Sequence, residues 1–161
     1  MQKTNAMRVL DGRKVAYTAH EYSDEIHGTD GVAAAIGVPE AEVYKTLVVL
    51  PETPGRKPML VITPGPRELN LRLLAKEIGE KSLRMATHKE AESLTGLKVG
   101  GISALALLNK GFAIYIDASA RQFESIYVSA GQRGINLRVK VADLIKVTGA
   151  KVVRATSETE P

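Results

Sequence analysis

The sequence predicts a mixed α/β domain in which a central, mixed sheet is flanked by short helices. Aliphatic runs typical of strands alternate irregularly with helical segments that end at glycine. Three late strand-like runs, 112–117, 125–131 and 135–140, follow one another too closely for the crossovers that parallel strands need. A regular doubly wound parallel sheet therefore fits less well than a mixed one.

Length and composition limit the classes of protein to which this chain can belong. With 161 residues, one domain is favoured, and we place it at residues 1–155 with a frayed tail over 156–161. Aromatic residues make up only 4% of the chain, which disfavours a broad stacking platform for single-stranded nucleic acid. Cysteine is absent, so disulfides, thiolate metal sites and a thiol nucleophile are excluded.

Charge and hydropathy limit the kinds of partner that we expect. The net charge of +4 permits a polyanionic partner without requiring one. There is no dense cluster of lysine and arginine, so we expect no DNA partner. The N-terminal segment lacks the apolar core of a signal peptide, and no apolar run approaches membrane-spanning length. The expectation is a soluble cytoplasmic protein without a membrane partner.

Capping residues and terminal glycines predict the helices. Thr87 and Glu90 have the spacing of a capping box, and Gly96 ends that helix. Further helices are predicted over 4–10, within 28–39, over 71–79 and over 141–149. We expect Thr29 or Asp30 to cap the helix within 28–39 and Gly37 to end it.

Period-2 and aliphatic runs predict the strands. They lie at 14–22, 46–50, 59–64, 82–86, 112–117, 125–131, 135–140 and 151–155. Pro39 is expected to open a helical turn that continues into Lys45.

Lys45 stands at the mouth of the aliphatic strand over 46–50. The stem of a lysine can lie on apolar surface there while its ammonium reaches a cleft. Such a compact charge suits a phosphate, a carboxylate or a carbonyl oxygen. The equally weighted alternative is a surface lysine paired with Glu42.

The segment Val99–Ser103 reads Val-Gly-Gly-Ile-Ser. Gly100 and Gly101 allow the backbone to approach a ligand closely, and Ser103 adds a hydroxyl. A segment of this kind can hold a phosphate or stabilise negative charge that develops on a carbonyl oxygen. The equally weighted alternative is a tight turn between two elements.

Ser129 stands at the end of a predicted strand, before a turn that contains Gly131. It lacks the nucleophile elbow G-x-S-x-G, so a Ser-His-Asp hydrolase is disfavoured. His20, His27 and His88 are scattered and match no zinc motif, so structural or surface roles are favoured, with no metal or cofactor. The residues alone therefore predict a ligand-binding α/β domain with no identified nucleophile.

Three motifs in this order resemble the YbaK/EbsC family, which are free-standing aminoacyl-tRNA deacylases related to the editing domain of bacterial prolyl-tRNA synthetases. The motifs are VYKTL at 43–47, VGGIS at 99–103 and IDASARQFESIYVSAGQRG at 116–134. The resemblance implies a single compact α/β domain that binds the aminoacylated 3′ end of tRNA. It also implies hydrolysis of Cys-tRNA(Pro) and Cys-tRNA(Cys), alone or in transient complex with prolyl- or cysteinyl-tRNA synthetase.

The resemblance also assigns roles to residues. The expected catalytic residues are Lys45, Gly101 and Ser103. The expected substrate-binding residues are Thr46, Gly100, Ile102, Ser129 and Gly131. In the family's proposed chemistry the thiol of the cysteinyl substrate attacks its own ester, with cyclisation, and the protein supplies positioning rather than a nucleophile.

Four residues depart from the family pattern, namely Ala104, Ala130, Gln132 and Asn136. These departures leave open a deacylase with a different amino-acid preference, for example one that acts on Ala-tRNA(Pro). A non-catalytic module that binds an aminoacyl-tRNA end or a small ligand also remains open. Metal-dependent hydrolysis is disfavoured by the scattered histidines.

Overall fold

The computed structural model of the protein describes residues 2–157. Its helices are α1 (Asn5–Gly12), α2 (Gly28–Ile36), α3 (Leu71–Ile78), α4 (His88–Thr95) and α5 (Val141–Thr148). Its strands are β1 (Tyr17–Glu21), β2 (Tyr44–Pro51), β3 (Met59–Pro64), β4 (Leu83–Met85), β5 (Ala113–Asp117), β6 (Ser125–Ser129), β7 (Ile135–Lys140) and β8 (Lys151–Val153). Among the described residues, no helix has the length and apolar character needed to cross a membrane.

The strands form two sheets. A five-stranded mixed sheet has the order β4-β2-β3-β5-β8, and a three-stranded antiparallel sheet has the order β1-β7-β6. The predicted mixed α/β class and the single domain are confirmed. The single central sheet that we expected is divided, because β6 and β7 pair with each other and β7 pairs with β1 rather than with β5.

The main core joins both sheets. Leu60 and Ile62 of β3 share one buried cluster with Val128 of β6 and Leu137 of β7, and helices α1 and α5 cover it. The alternate residues of β3, which include Val61, face a second cluster under α3. All six residues of β3 are buried, as expected for a central strand that is covered on both faces.

The start of α2 differs from the prediction. Its N-cap is His27, which makes no side-chain cap bond, rather than Thr29 or Asp30. The reason is that the Thr29 hydroxyl donates to Glu40 Oε2 at 2.8 Å and is occupied there. A third, small cluster around Val32 packs this helix against the sheets.

The turn after Pro39 is shorter than predicted. It is a single 3-10 turn over Glu40–Glu42, and Lys45 lies inside β2 rather than at the end of a helix. The chain becomes extended at Val43 because the Val43 carbonyl accepts from Gly65 N–H at 2.8 Å and Val43 also bridges to Tyr127.

The capping box predicted for α4 is confirmed. Thr87 Oγ1 accepts from the Glu90 amide, and the Glu90 carboxylate accepts from the Thr87 amide. The carboxylate also accepts two hydrogen bonds from Arg84, each of 2.8 Å. This network fixes both the end of β4 and the first turn of α4.

A buried carboxylate holds the C-terminal segment. Asp117 is 2% exposed and accepts hydrogen bonds from the amides of Ala155 and Thr156 and from the Thr156 hydroxyl. Asn70 donates to the Ser157 hydroxyl nearby. The ordered fold therefore extends past the predicted boundary at residue 155, while the rest of the predicted tail, 158–161, lies outside the described residues.

Replacing Asp117 by alanine should destabilise the protein, because two buried amides lose their acceptor. We expect Asp117→Ala to lower the free energy of unfolding by about 3 kcal/mol, since each orphaned buried donor costs about 1–3 kcal/mol. Urea denaturation measures the loss. Glu124→Ala, at an exposed position nearby, is the control and should change stability by less than about 0.5 kcal/mol. Equal effects would contradict the role of Asp117.

The Glu90 network predicts a pH dependence of stability. Hydrogen bonds from Arg84, and then from the Thr87 amide, lower the pKa of Glu90 from 4.5 to about 2. A carboxylate with a lowered folded-state pKa stabilises the fold above its unfolded pKa and stops doing so as the pH falls through its folded pKa. The difference in Tm between the wild type and Glu90→Gln should thus be present at pH 7 and shrink toward zero near pH 2. Thermal melts across this range measure it; a difference that does not change with pH would contradict the assignment.

Candidate functional site

The outer edge of β2 is paired at one end and open at the other. On its inner edge, β2 pairs with β3 from Tyr44 to Val49. On its outer edge, β4 pairs only with the last three residues, Val49 to Pro51. The cap of α4 at Thr87 ends β4 at that point. The remaining edge of β2 lines a cavity of about 580 Å³.

Five parts of the chain enclose this cavity: the open edge of β2, the starts of α2 and α4, the segment 98–103, which we call the glycine loop, and the turn between β6 and β7. The side chains that bring polar groups to it are Tyr22, His27, Thr29, Lys45, Thr46, His88, Ser129, Arg133 and Asn136. No aspartate or glutamate is among its described lining residues. The cavity therefore combines cationic and neutral groups and suits an anionic or carbonyl-bearing ligand.

Lys45 is a half-buried cation in this cavity. Its Nζ donates to the Gly65 carbonyl at 3.4 Å, and none of the four ion pairs among the described residues includes it. Gly65 packs so tightly on Thr29 that a Cβ would lie 2.2 Å from the Thr29 hydroxyl. Lys45 is thus held beside a fixed carbonyl, with its charge left for a ligand.

Thr46 brings backbone groups to the cavity. The Val48 carbonyl accepts from the Ala86 amide at 3.0 Å on the outer side of β2. Because the hydrogen-bonding direction alternates along a strand, the N–H and C=O of Thr46 point to that same side. Beyond the β4 pairing they meet the cavity rather than another strand.

The glycine loop is held from two sides. The Glu92 carboxylate accepts from the Val99 amide at 2.9 Å, and the Gly101 amide donates to the Lys98 carbonyl at 2.8 Å. A Cβ on Gly101 would lie only 2.8–2.9 Å from backbone atoms of Gln132 and Arg133. Only glycine allows this contact between the loop and the β6–β7 turn.

Ser129 and Asn136 face each other across the β6–β7 hairpin. Ser129 Oγ accepts from the Gly131 amide at 3.1 Å, and Asn136 Nδ2 donates to the Tyr22 hydroxyl at 2.8 Å. Asn136 is 5% exposed, and its Oδ1 has no hydrogen-bond partner among the described residues. Burial raises the pKa of Tyr22, so this phenol stays neutral at physiological pH.

The structure brings five of the eight predicted site residues to the cavity. These are Lys45, Thr46, Gly100, Ile102 and Ser129. Gly101 packs on the hairpin turn instead, and Gly131 has a left-handed φ of 101° with Ala106 beside its α-carbon. The Ser103 side chain is buried, has no partner for its hydroxyl, and is not among the lining groups. The chemical roles given to all eight residues stay predictions.

Several lining residues were not predicted as site residues. Asn136 was noted only as a departure, although the spacing of the hairpin places it opposite Ser129. His27 and His88 are exposed at the cavity rim, where each stands at the start of a helix. Among the described residues, no group of three histidine, cysteine, aspartate or glutamate side chains could hold a metal ion.

Comparison with known proteins decides the family. The family model described as "Aminoacyl-tRNA editing domain" matches residues 23–147. The chain belongs to the aminoacyl-tRNA editing domain family. It is 33% identical over 159 residues to a protein from Enterococcus faecalis named "Putative Cys-tRNA(Pro)/Cys-tRNA(Cys) deacylase EbsC", with 98% of this chain and 95% of that protein covered.

Other similar proteins are longer than this chain or are similar to it in fold. A proline–tRNA ligase from Sulfurihydrogenibium is 28% identical over 87% of this chain, which spans only 24% of that ligase. The solved structure titled "Crystal structure of a putative trans-editing enzyme for prolyl tRNA synthetase" superposes with a TM-score of 0.81 at 23% identity, covering 98% of this chain and all of that one. This likeness shows the editing-domain fold.

A methyl group at Gly101 should displace the glycine loop, because the hairpin backbone occupies its place. We expect Gly101→Ala to lower the free energy of unfolding by about 1–3 kcal/mol, the usual cost of overpacking. Chemical denaturation measures it. Gly12→Ala is the matched control, since nothing lies within 4 Å of its added Cβ, and it should be neutral. If Gly101→Ala lowers the free energy of unfolding no more than Gly12→Ala does, the close contact between Gly101 and the β6–β7 turn is contradicted.

Proposed function

We propose that this protein hydrolyses the ester bond of a mischarged aminoacyl-tRNA, with Cys-tRNA(Pro) as the leading substrate and Cys-tRNA(Cys) as a second. The observation that carries the proposal is Lys45, a cation that makes no ion pair among the described residues and lies in a cavity with no acidic residue in its described lining. Membership in the editing family and the likeness to EbsC support this substrate class.

The cavity favours catalysis by positioning. Lys45 is placed to bind the terminal adenosine or its phosphate, as its unpaired charge and the family resemblance both suggest. The amide of Thr46 and the glycine loop border the same space, and either can donate to an ester oxygen as it gains charge. The rate enhancement then comes from the geometry in which the substrate is held, whereas other hydrolases obtain it from a protein nucleophile.

For a cysteinyl ester, the nucleophile is the substrate's own thiol. Its sulfur attacks the ester carbonyl carbon, the bond from that carbon to the ribose oxygen breaks, and the ribose oxygen takes up the proton that the thiol releases. The cyclic thioester is then opened by water to free cysteine. This route agrees with a chain that contains no cysteine of its own.

Asn136 supports recognition of the aminoacyl group. A buried amide oxygen without a partner costs free energy, and an N–H donor of the ligand would satisfy it. The amino group of the aminoacyl ester is such a donor. Among the four departures from the family pattern, Asn136 alone lines the cavity, and this favours a second candidate function, deacylation with another preference such as Ala-tRNA(Pro).

The proposal also covers the binding partners and the cellular location. The partner that we propose is the aminoacylated 3′ end of tRNA rather than DNA or a membrane, which the cation Lys45 and the lack of acidic residues among the described lining residues support. A transient complex with prolyl- or cysteinyl-tRNA synthetase would deliver that end. Both the reaction and the complex belong to the cytoplasm.

A panel of labelled mischarged tRNAs tests the function. We expect the protein to accelerate hydrolysis of Cys-tRNA(Pro) or Ala-tRNA(Pro) over buffer, with activity that survives a chelator. Lys45→Ala should lower kcat/KM by roughly 10- to 100-fold, the loss expected for a hydrogen bond to a charged group. Lys57→Ala, an exposed lysine in the β2–β3 loop, is the matched control and should retain full activity.

Two outcomes would overturn the proposal. Binding of aminoacyl-tRNA without turnover would identify a binding module rather than a deacylase. Equal losses from Lys45→Ala and Lys57→Ala would remove Lys45 from the site.

A further inference from the structure

Arg133 joins the two loops that border the cavity. It lies in the β6–β7 turn, and its Nε donates to the Val99 carbonyl of the glycine loop at 2.8 Å. Its stem crosses Gly100, where an added Cβ would lie 3.4 Å from Nε and 3.7 Å from Cγ. The backbone of Arg133 meets Gly101 as well. One residue therefore holds the hairpin turn against the glycine loop.

The guanidinium of Arg133 has more donors than this contact uses. A guanidinium carries five N–H donors, and the hydrogen bond to Val99 occupies one. Arg133 is exposed and lines the cavity, and none of the ion pairs among the described residues includes it. No acidic residue among the described lining residues competes for this charge.

We propose that Arg133 is both a positioning residue for the glycine loop, through Nε, and the binding residue for a backbone phosphate of the RNA strand that enters the cavity, through its two terminal nitrogen atoms. This inference rests on the proposed function, since it assumes that the ligand is a tRNA end. It places a second cation, separate from Lys45, where the strand leaves the cavity.

Arginine suits this double role and lysine does not. The planar fork of a guanidinium can donate to a carbonyl on one side and to two phosphate oxygens on the other at the same time. The ammonium of a lysine has the same charge but cannot span the two acceptors. Arg133→Lys therefore separates charge from geometry, and Arg133→Gln removes the charge.

The phosphate contact is tested by the salt dependence of binding. The ligand is an RNA hairpin with the tRNA acceptor end, which carries its amino acid through a non-hydrolysable 3′-amide. We expect Arg133→Gln to weaken binding about tenfold at low salt and to reduce the slope of log K against log[salt] by about 0.7, the value for one single-strand phosphate. Arg133→Lys should keep the wild-type slope. Arg138→Gln, which removes an exposed arginine of the same hairpin outside the cavity, should also keep it.

The positioning role is tested without phosphate. On 3′-O-aminoacyl-adenosine, both Arg133→Lys and Arg133→Gln should lower kcat by about tenfold and leave KM unchanged. In the same variants, hydrogen exchange at the Gly101 amide should be faster than in the wild type or in Arg138→Gln. If Arg133→Gln shows no thermal transition, it has not folded. The kcat and the Gly101 amide exchange of Arg133→Lys then decide the positioning role.

The inference is overturned if Arg133→Gln leaves the salt slope unchanged, or if neither Arg133 variant changes kcat or the exchange of Gly101. Absence of turnover in the wild type would instead overturn the proposed function. The salt slope and the amide exchange would still decide the role of Arg133, because neither of them requires turnover.

Discussion

The incomplete pairing of β2 is the constraint on which the rest of the site depends. Its inner edge pairs with β3 from Tyr44 to Val49, but β4 covers only the last three residues of its outer edge. β4 cannot continue, because the capping box at Thr87 turns the chain into α4. At the other end, Val43, which directly precedes β2, bridges to Tyr127 of β6. The gap between these two contacts is the cavity.

Close contacts at two glycines border this gap. Gly65 lies against Thr29 on one side, and Gly101 lies against the β6–β7 turn on the other. Both contacts leave no room for a side chain on the glycine, so the chain is closely packed at these two points. Lys45 of β2 and Arg133 of the β6–β7 turn both line this space, and neither has a carboxylate partner among the described residues. The same geometry supplies positive charge and fixed dipoles, and for this reason positioning is the chemistry that we propose.

Local signals in the sequence predicted much of this arrangement. The capping box at Thr87 acts at short range and is confirmed, and Thr4 and Asn70 cap two further predicted helices, α1 and α3, over the same short distance. The division into two sheets could not be predicted, because strand partners are chosen by tertiary packing rather than by local pattern. The cap of α2 was wrong for a similar reason, since the Thr29 hydroxyl bonds to Glu40, eleven residues away.

The site was predicted unevenly for the same physical reasons. Lys45 and Gly100 were singled out because one cation at the mouth of an aliphatic run and two adjacent glycines are noticeable in a sequence, and the family resemblance then gave them site roles. Asn136 and Arg133 become site residues only when the hairpin folds back onto Tyr22 and Val99, which lie far away along the chain. The burial of the Ser103 side chain depends on how the glycine loop turns, and sequence does not determine that.

A crystal structure of the protein with a 3′-amide-linked aminoacyl-adenosine 5′-phosphate would test the central claim most directly. The account predicts the aminoacyl group between the open edge of β2 and the glycine loop, with its amino group within hydrogen-bonding distance of Asn136 Oδ1 and Lys45 Nζ on the adenosine or its phosphate. A ligand bound outside this cavity, with Lys45 still on the Gly65 carbonyl alone, would contradict it.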